Sequence, residues 1–259
     1  MEKRGQTTLF IILGIVIVIL VALYFVGKQT DMLPEIFSAA DAEGELADID
    51  EHVTECMAEI GEEYVRQIAW QGGYLSIGTD TYKLWNDTTV SYLCWNQVGL
   101  PTCSNRLLTQ AHMEEELEEV ISSALSTCIN VHDYSNDLNT AESWVLDVEI
   151  TSDSVDLYLD YPIEVVKDDS SASTEGFSEN VNLPLGELFD VVQDIVNEEA
   201  GWGTFDPMLY MLGQLSEYTI YTSKPYPDTI YAVQMSEFTL PPGQENLVFQ
   251  FAIQGEETV

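Results

Sequence analysis

The residues of this chain that could do chemistry are four cysteines, three histidines and a large excess of carboxylates. The cysteines stand at 56, 94, 103 and 128. No two of them form the C-x₂-C knuckle of a structural metal site, so oxidation to two disulfides is the expectation. Four cysteines allow three pairings. Cys94 and Cys103 bracket an eight-residue loop with Gly99 and Pro101, which favours a local bridge. Cys56 and Cys128 would then staple two helices, and each bridge would contribute roughly 2–4 kcal/mol. His52, His112 and His132 are far apart in sequence. Asp156 and Asp160 are candidates for a carboxylate pair. As i and i+4 on one strand, however, they lie about 13 Å apart, too far for either glycosidase geometry. The chain holds no H-E-x-x-H, P-loop, G-x-S-x-G or dinucleotide fingerprint. We therefore expect no catalytic residue, no cofactor and no metal. Asn86-Asp87-Thr88 is the one N-x-S/T sequon, so Asn86 could carry a glycan if it lies outside the cell. Tyr218, Tyr221, Tyr226 and Tyr231 cluster near Pro225 and Pro227, and we read them as packing groups.

Charge decides which partners are excluded. Eight Lys and Arg face 45 Asp and Glu, for a net charge of −37 and a pI near 4.1. Nucleic acid is excluded as a partner, because no basic patch exists to displace its counterions. At 46% apolar residues the chain is too hydrophobic for a disordered acidic tail. Glu2 is the one acid among residues 1–28, and Lys3, Arg4 and Lys28 are three of the eight bases. That leaves 44 acids against 5 bases in the remainder. The acids are spread along the whole remainder, a pattern that suits a protein bathed in molar salt, where the Debye length falls to about 3 Å. Glu114-Glu115-Glu116 with Glu118-Glu119, and Asp168-Asp169, accordingly read as solvated faces.

The N-terminus must position everything else. Leu9 to Val26 is eighteen residues without a charge. With Thr7 and Thr8 the stretch is long enough to cross a bilayer core. Lys3 and Arg4 before it place the N-terminus in the cytoplasm and the rest outside. Membrane lipid is thus one expected partner, through residues 7–26. The stretch is too long for an ordinary cleaved secretory signal, and no small-x-small site follows it closely. Lys3-Arg4-Gly5-Gln6, directly before the apolar run, resembles the class III signal peptide of archaeal type IV pilins and archaellins. That resemblance implies cleavage after Gly5, leaving Gln6 first, with the apolar helix retained as a filament core. Phe10 stands where the acidic fifth residue of bacterial pilins would be.

Beyond residue 28 we expect a junction over 29–44, broken by Pro34, and one domain over 45–259. Leu46, Ile49, Val53, Met57, Ile60, Tyr64 and Ile68 recur at steps of three and four, which predicts a helix from about Glu45 to Gly72-Gly73. Tyr82–Trp85 and Val90–Leu93 flank an Asn86-Asp87 turn. A second helix is expected over 109–129, with Leu117, Val120, Ile121, Ala124, Leu125 and Cys128 along its apolar side. Leu146, Val148 and Ile150, then Val155, Leu157 and Leu159, alternate with acids and predict an antiparallel hairpin. Pro162 would sit on an edge or bulge, and 168–176 would be a Ser-rich loop. A third helix opens at Pro184 and ends at Gly201. A short one is expected near 207–215, and strands at 218–222, 229–235 and 247–253. Helices segregated against an antiparallel sheet make this α+β.

Trp70-Gln71-Gly72-Gly73-Tyr74 and Leu159-Asp160-Tyr161-Pro162-Ile163, with Cys56 and Cys128 in flanking helices, resemble a family of single-pass surface proteins of small-genome archaea. That resemblance implies no activity and no site residue. The functional expectation is a membrane-anchored extracellular structural or adhesion protein of a halophilic archaeon, partnered by other surface proteins. The alternatives are a minor or tip pilin-like subunit and a surface receptor or solute-binding domain.

Overall fold

A computed structural model describes residues 32–76, 78, 81–97, 102–131, 138–167, 170–215, 217–238, 240 and 246–255, with side chains from Ala42 onward. The expected membrane span, Gly5 and Gln6, His132 and Asp168-Asp169 lie outside the described residues. Among the described residues no helix is long and apolar enough to cross a membrane.

Four helices are present among them: α1 (Met32–Trp70), α2 (Gln110–Cys128), α3 (Leu185–Trp202) and α4 (Pro207–Gly213). The first strands are β1 (Tyr82–Trp85), β2 (Thr88–Trp95), β3 (Ser104–Asn105), β4 (Leu138–Thr140) and β5 (Val145–Ile150). They are followed by β6 (Val155–Lys167), β7 (Ser170–Val181), β8 (Tyr218–Ser223), β9 (Thr229–Met235) and β10 (Val248–Ile253). The fold is α+β, and most strand pairs are antiparallel.

α1 starts well before the expected Glu45. Pro34 is its third residue, within the first turn, where the N–H groups have no intrahelical partner and proline removes no bond. Gly72 and Gly73, at φ 80° and 87°, end it, and the Gly73 N–H bonds back to the Ile68 carbonyl at 2.8 Å.

The chain divides into two compact units. One holds the described residues up to Asp50, with 131–141 and 162–175. In it, β4 pairs antiparallel with the end of β6, Leu138 opposite Val165 and Thr140 opposite Ile163. Ile49, Ile163 and Val165 are buried, and Lys167 Nζ meets Glu45 Oε2 at 2.7 Å. Ser170 to Glu175, expected as loop, are strand, because β7 pairs along β6. None of those six residues is buried, so no apolar period marked them.

The other unit holds 51–130, 142–161 and the chain from Gly176 onward. Its larger sheet runs β1-β2-β10-β9-β8, with β3 beside β2. β10 is parallel to β2, which corrects the all-antiparallel expectation. As an interior strand β10 is buried on both faces: Phe249 and Phe251 on one, Gln250 and Ala252 on the other. α3 covers the sheet, with Phe189 6.5 Å from Phe249 between ring centroids. The hairpin of β5 and β6 pairs Leu146 with Leu159 and Val148 with Leu157, as the alternation predicts. α1 presses closely on it. A Cβ on Gly61 would lie 2.7 Å from Leu157 Cδ1 and 2.9 Å from Val181 Cγ2. α3 closes at Gly203, at φ 75°, rather than at Gly201, which is an exposed helical residue.

Candidate functional site

The cysteines form two bridges. Cys56 joins Cys128, tying the middle of α1 to the end of α2, and Cys94 joins Cys103 across the loop after β2. No cysteine is free, so thiolate chemistry is closed. His52 lies one turn before Cys56, and its Nε2 is 3.3 Å from the Cys128 carbonyl. A carbonyl only accepts, so the ring donates through Nε2 to the last residue of α2, where a donor suits the negative end of the helix. Asn86 and Asp87 sit at φ 48° and 63°, as a type I′ hairpin turn requires, and both are exposed.

The glutamates of α2 are not a solvated face throughout. Glu114 accepts the Ile150 N–H at 2.9 Å and Glu118 the Val148 N–H at 3.2 Å, both on β5. Glu116 accepts from the Leu75 and Ser76 N–H groups at 2.5 and 3.1 Å. These three carboxylates satisfy backbone donors that would otherwise go unpaired. Asp156 accepts from Ser154 and Asn180, while Asp160 is exposed. Among the described residues no group of three or more His, Cys, Asp or Glu is placed to hold a metal.

Tyrosines bond carboxylates in four places. Tyr92 donates to Asp228 at 2.8 Å, Tyr210 to Asp194 at 2.9 Å, Tyr218 to Glu187 at 2.9 Å and Tyr231 to Glu199 at 2.6 Å. Burial, then the bond to the acid, pushes the Tyr210 phenol up to about 12. The same causes in the same order raise Tyr92, Tyr218 and Tyr231 further. Tyr218 and Tyr231 thus pack as expected, whereas Tyr221 and Tyr226 are exposed.

The first candidate surface is α4. Asp206 caps it, accepting from the Met208 and Leu209 N–H groups, and Pro207 sits in its first turn. Tyr210 and Met211 anchor the helix. Tyr210 packs on Phe205 at 5.4 Å, and the Ile220 N–H meets Met211 Sδ at 3.3 Å. Met208, Leu209 and Leu212 are left 71, 68 and 67% exposed, with Leu215 at 85%. Trp202, at the end of α3, is 81% exposed. The sequence reading located this helix but not its outward face. The signal was the run Met-Leu-Tyr-Met-Leu, which is apolar on every side of a two-turn helix and so must present some of it outward.

The second is a polar pocket of about 280 Å³, lined by Asn96, Thr102, Cys103, Glu199, Thr229 and Gln254, with Gly203 and Gly255 at its wall. Asn96 is tied to Gln254 by two hydrogen bonds of 2.9 Å. Two buried acids bound this region. Asp228 accepts from Lys83 Nζ at 2.6 Å, from Tyr92 and from the Gly255 N–H. Glu199 accepts from Tyr231 alone among the described residues.

Comparison of the chain with family models, curated proteins and solved structures finds no match.

Proposed function

We propose that this chain is a membrane-anchored, non-catalytic surface protein of a halophilic archaeon, held by residues 7–26, that adheres to another envelope protein through α4. The observation that carries this is the exposure of Met208, Leu209 and Leu212 on α4, each about two-thirds or more exposed. A chain of net charge −37 has no solubility reason to display large side chains there. Large apolar side chains displayed together on one short helix suit contact with another protein. The test is cell-to-cell or envelope adhesion by cells carrying the full chain with Leu209→Asp and Leu212→Asp. Adhesion should fall severalfold with surface abundance unchanged, and equal adhesion refutes the assignment of α4.

A pilin-like subunit processed after Gly5 is the second reading, and the run Lys3-Arg4-Gly5-Gln6 directly before the apolar stretch supports it. Mass spectrometry of the mature N-terminus separates the two. Gln6 as first residue supports the filament subunit, and Met1 or Glu2 supports the uncleaved anchor.

A further inference from the structure

The two buried acids beside the polar pocket are satisfied unequally. Asp228, 4% exposed, has a lysine ammonium, a phenol and a backbone N–H. Glu199, 8% exposed, has one neutral phenol among the described residues. A carboxylate withdrawn from water is costly unless a cation or several donors replace its hydration. Its position makes the need greater. Glu199 is in the last turn of α3, where no basic residue stands and the helix presents its negative end. Glu199 also lines the pocket and is the only charged residue among its described lining residues.

We propose that this pocket binds a small hydroxylated primary amine, of the amino-sugar or amino-alcohol class, with its ammonium on Glu199. Its volume, about 280 Å³, is near the lower end of small-molecule sites and far exceeds a bare monovalent ion. The wall supplies the Thr102 and Thr229 hydroxyls and the Asn96 and Gln254 amides, groups that recognise hydroxyls. No aromatic ring stands among its described lining residues, so it lacks the cage that a quaternary ammonium requires. The inference is independent of α4 and of the membrane anchor, since every lining residue belongs to one unit of the fold.

The probes are glucosamine and glucose, which differ in one ammonium, titrated calorimetrically into the full detergent-solubilised chain in molar KCl. Glucosamine should bind and glucose should bind at least about tenfold more weakly. Glu199→Gln should abolish the difference. Because Glu199→Gln also alters the bond to Tyr231, Thr102→Lys serves as a second variant. It delivers an ammonium from within the chain, and should raise the thermal midpoint while removing glucosamine binding. Equal binding of the two sugars, no binding of glucosamine, or full glucosamine binding by both variants would each overturn the proposal.

Discussion

Replacing each disulfide by a pair of alanines should destabilise the protein unequally, in an order set by loop length. Cys56–Cys128 closes 72 residues of chain and Cys94–Cys103 closes 9. In the chain-entropy treatment the two bridges are worth about 4.4 and 2.6 kcal/mol, and the difference of about 1.8 kcal/mol comes from the ratio of loop lengths alone. Burial works the other way. Cys94 and Cys103 are both buried, whereas Cys128 is only partly so. The bond from His52 to Cys128 is unaffected, because it uses the backbone carbonyl. For a chain of this size the corresponding falls in Tm are about 9–18 °C and about 5–10 °C. The assay is urea unfolding of the full chain in detergent and molar KCl, followed by tryptophan fluorescence. Free energies rather than midpoints must be compared, since removing a cross-link expands the unfolded state and raises the m-value. Equal losses, or a larger loss for the Cys94–Cys103 pair, would refute the loop-length account.

The four carboxylate-bonded tyrosines predict an alkaline limit. Their folded-state values lie above the free-phenol value of 10.0, so their contribution is complete below about pH 10 and is lost as pH rises toward and beyond about 12. Tyrosinate absorbance should therefore appear in two stages, the second coinciding with loss of circular dichroism; a single stage near pH 10 with the fold intact would contradict it. Salt should matter as strongly. With 44 acids against 5 bases beyond residue 28, that part of the chain should expand or unfold below about 0.5 M salt, where screening weakens. An unchanged spectrum after dialysis into dilute buffer would remove the halophile assignment.

What could be read from the sequence was whatever carried an apolar period. The stripe from Leu46 to Ile68 and the alternation from Leu146 to Leu159 specify α1 and the β5–β6 hairpin, because each buries one face. Asn86-Asp87 specifies its turn, because both residues tolerate positive φ. Where no period existed the expectation failed. Ser170 to Glu175 buries nothing and takes its strand form from pairing with β6. β10 buries both faces, so alternation there misreports an interior strand as a one-sided one. The start of α1 was misplaced because proline was treated as a breaker at a position where a helix tolerates it. The pocket was invisible for a different reason. Its lining comes from segments as distant as Asn96 and Gln254, and only the parallel pairing of β2 with β10 brings them together.

Scarcity of cations explains why tyrosine recurs beside the acids. Of the five basic residues beyond residue 28, Lys83 is held by Asp228 and Lys167 by Glu45. Arg66 spans Glu62 and the Asn246 carbonyl, and Arg106 lies 5.8 Å over the Trp95 ring. A chain with so few cations must quiet its partly buried carboxylates with neutral donors, and a phenol does this while burying its ring in the core. For Asp194 and Glu187, near the surface, one phenol beside solvent is enough. For Asp228 the fold spends a lysine and a backbone N–H as well. Glu199 is as deeply placed as a carboxylate that receives a cation, yet it has the partner set of one that does not need it. An ammonium bound in the pocket that Glu199 lines would supply the missing charge.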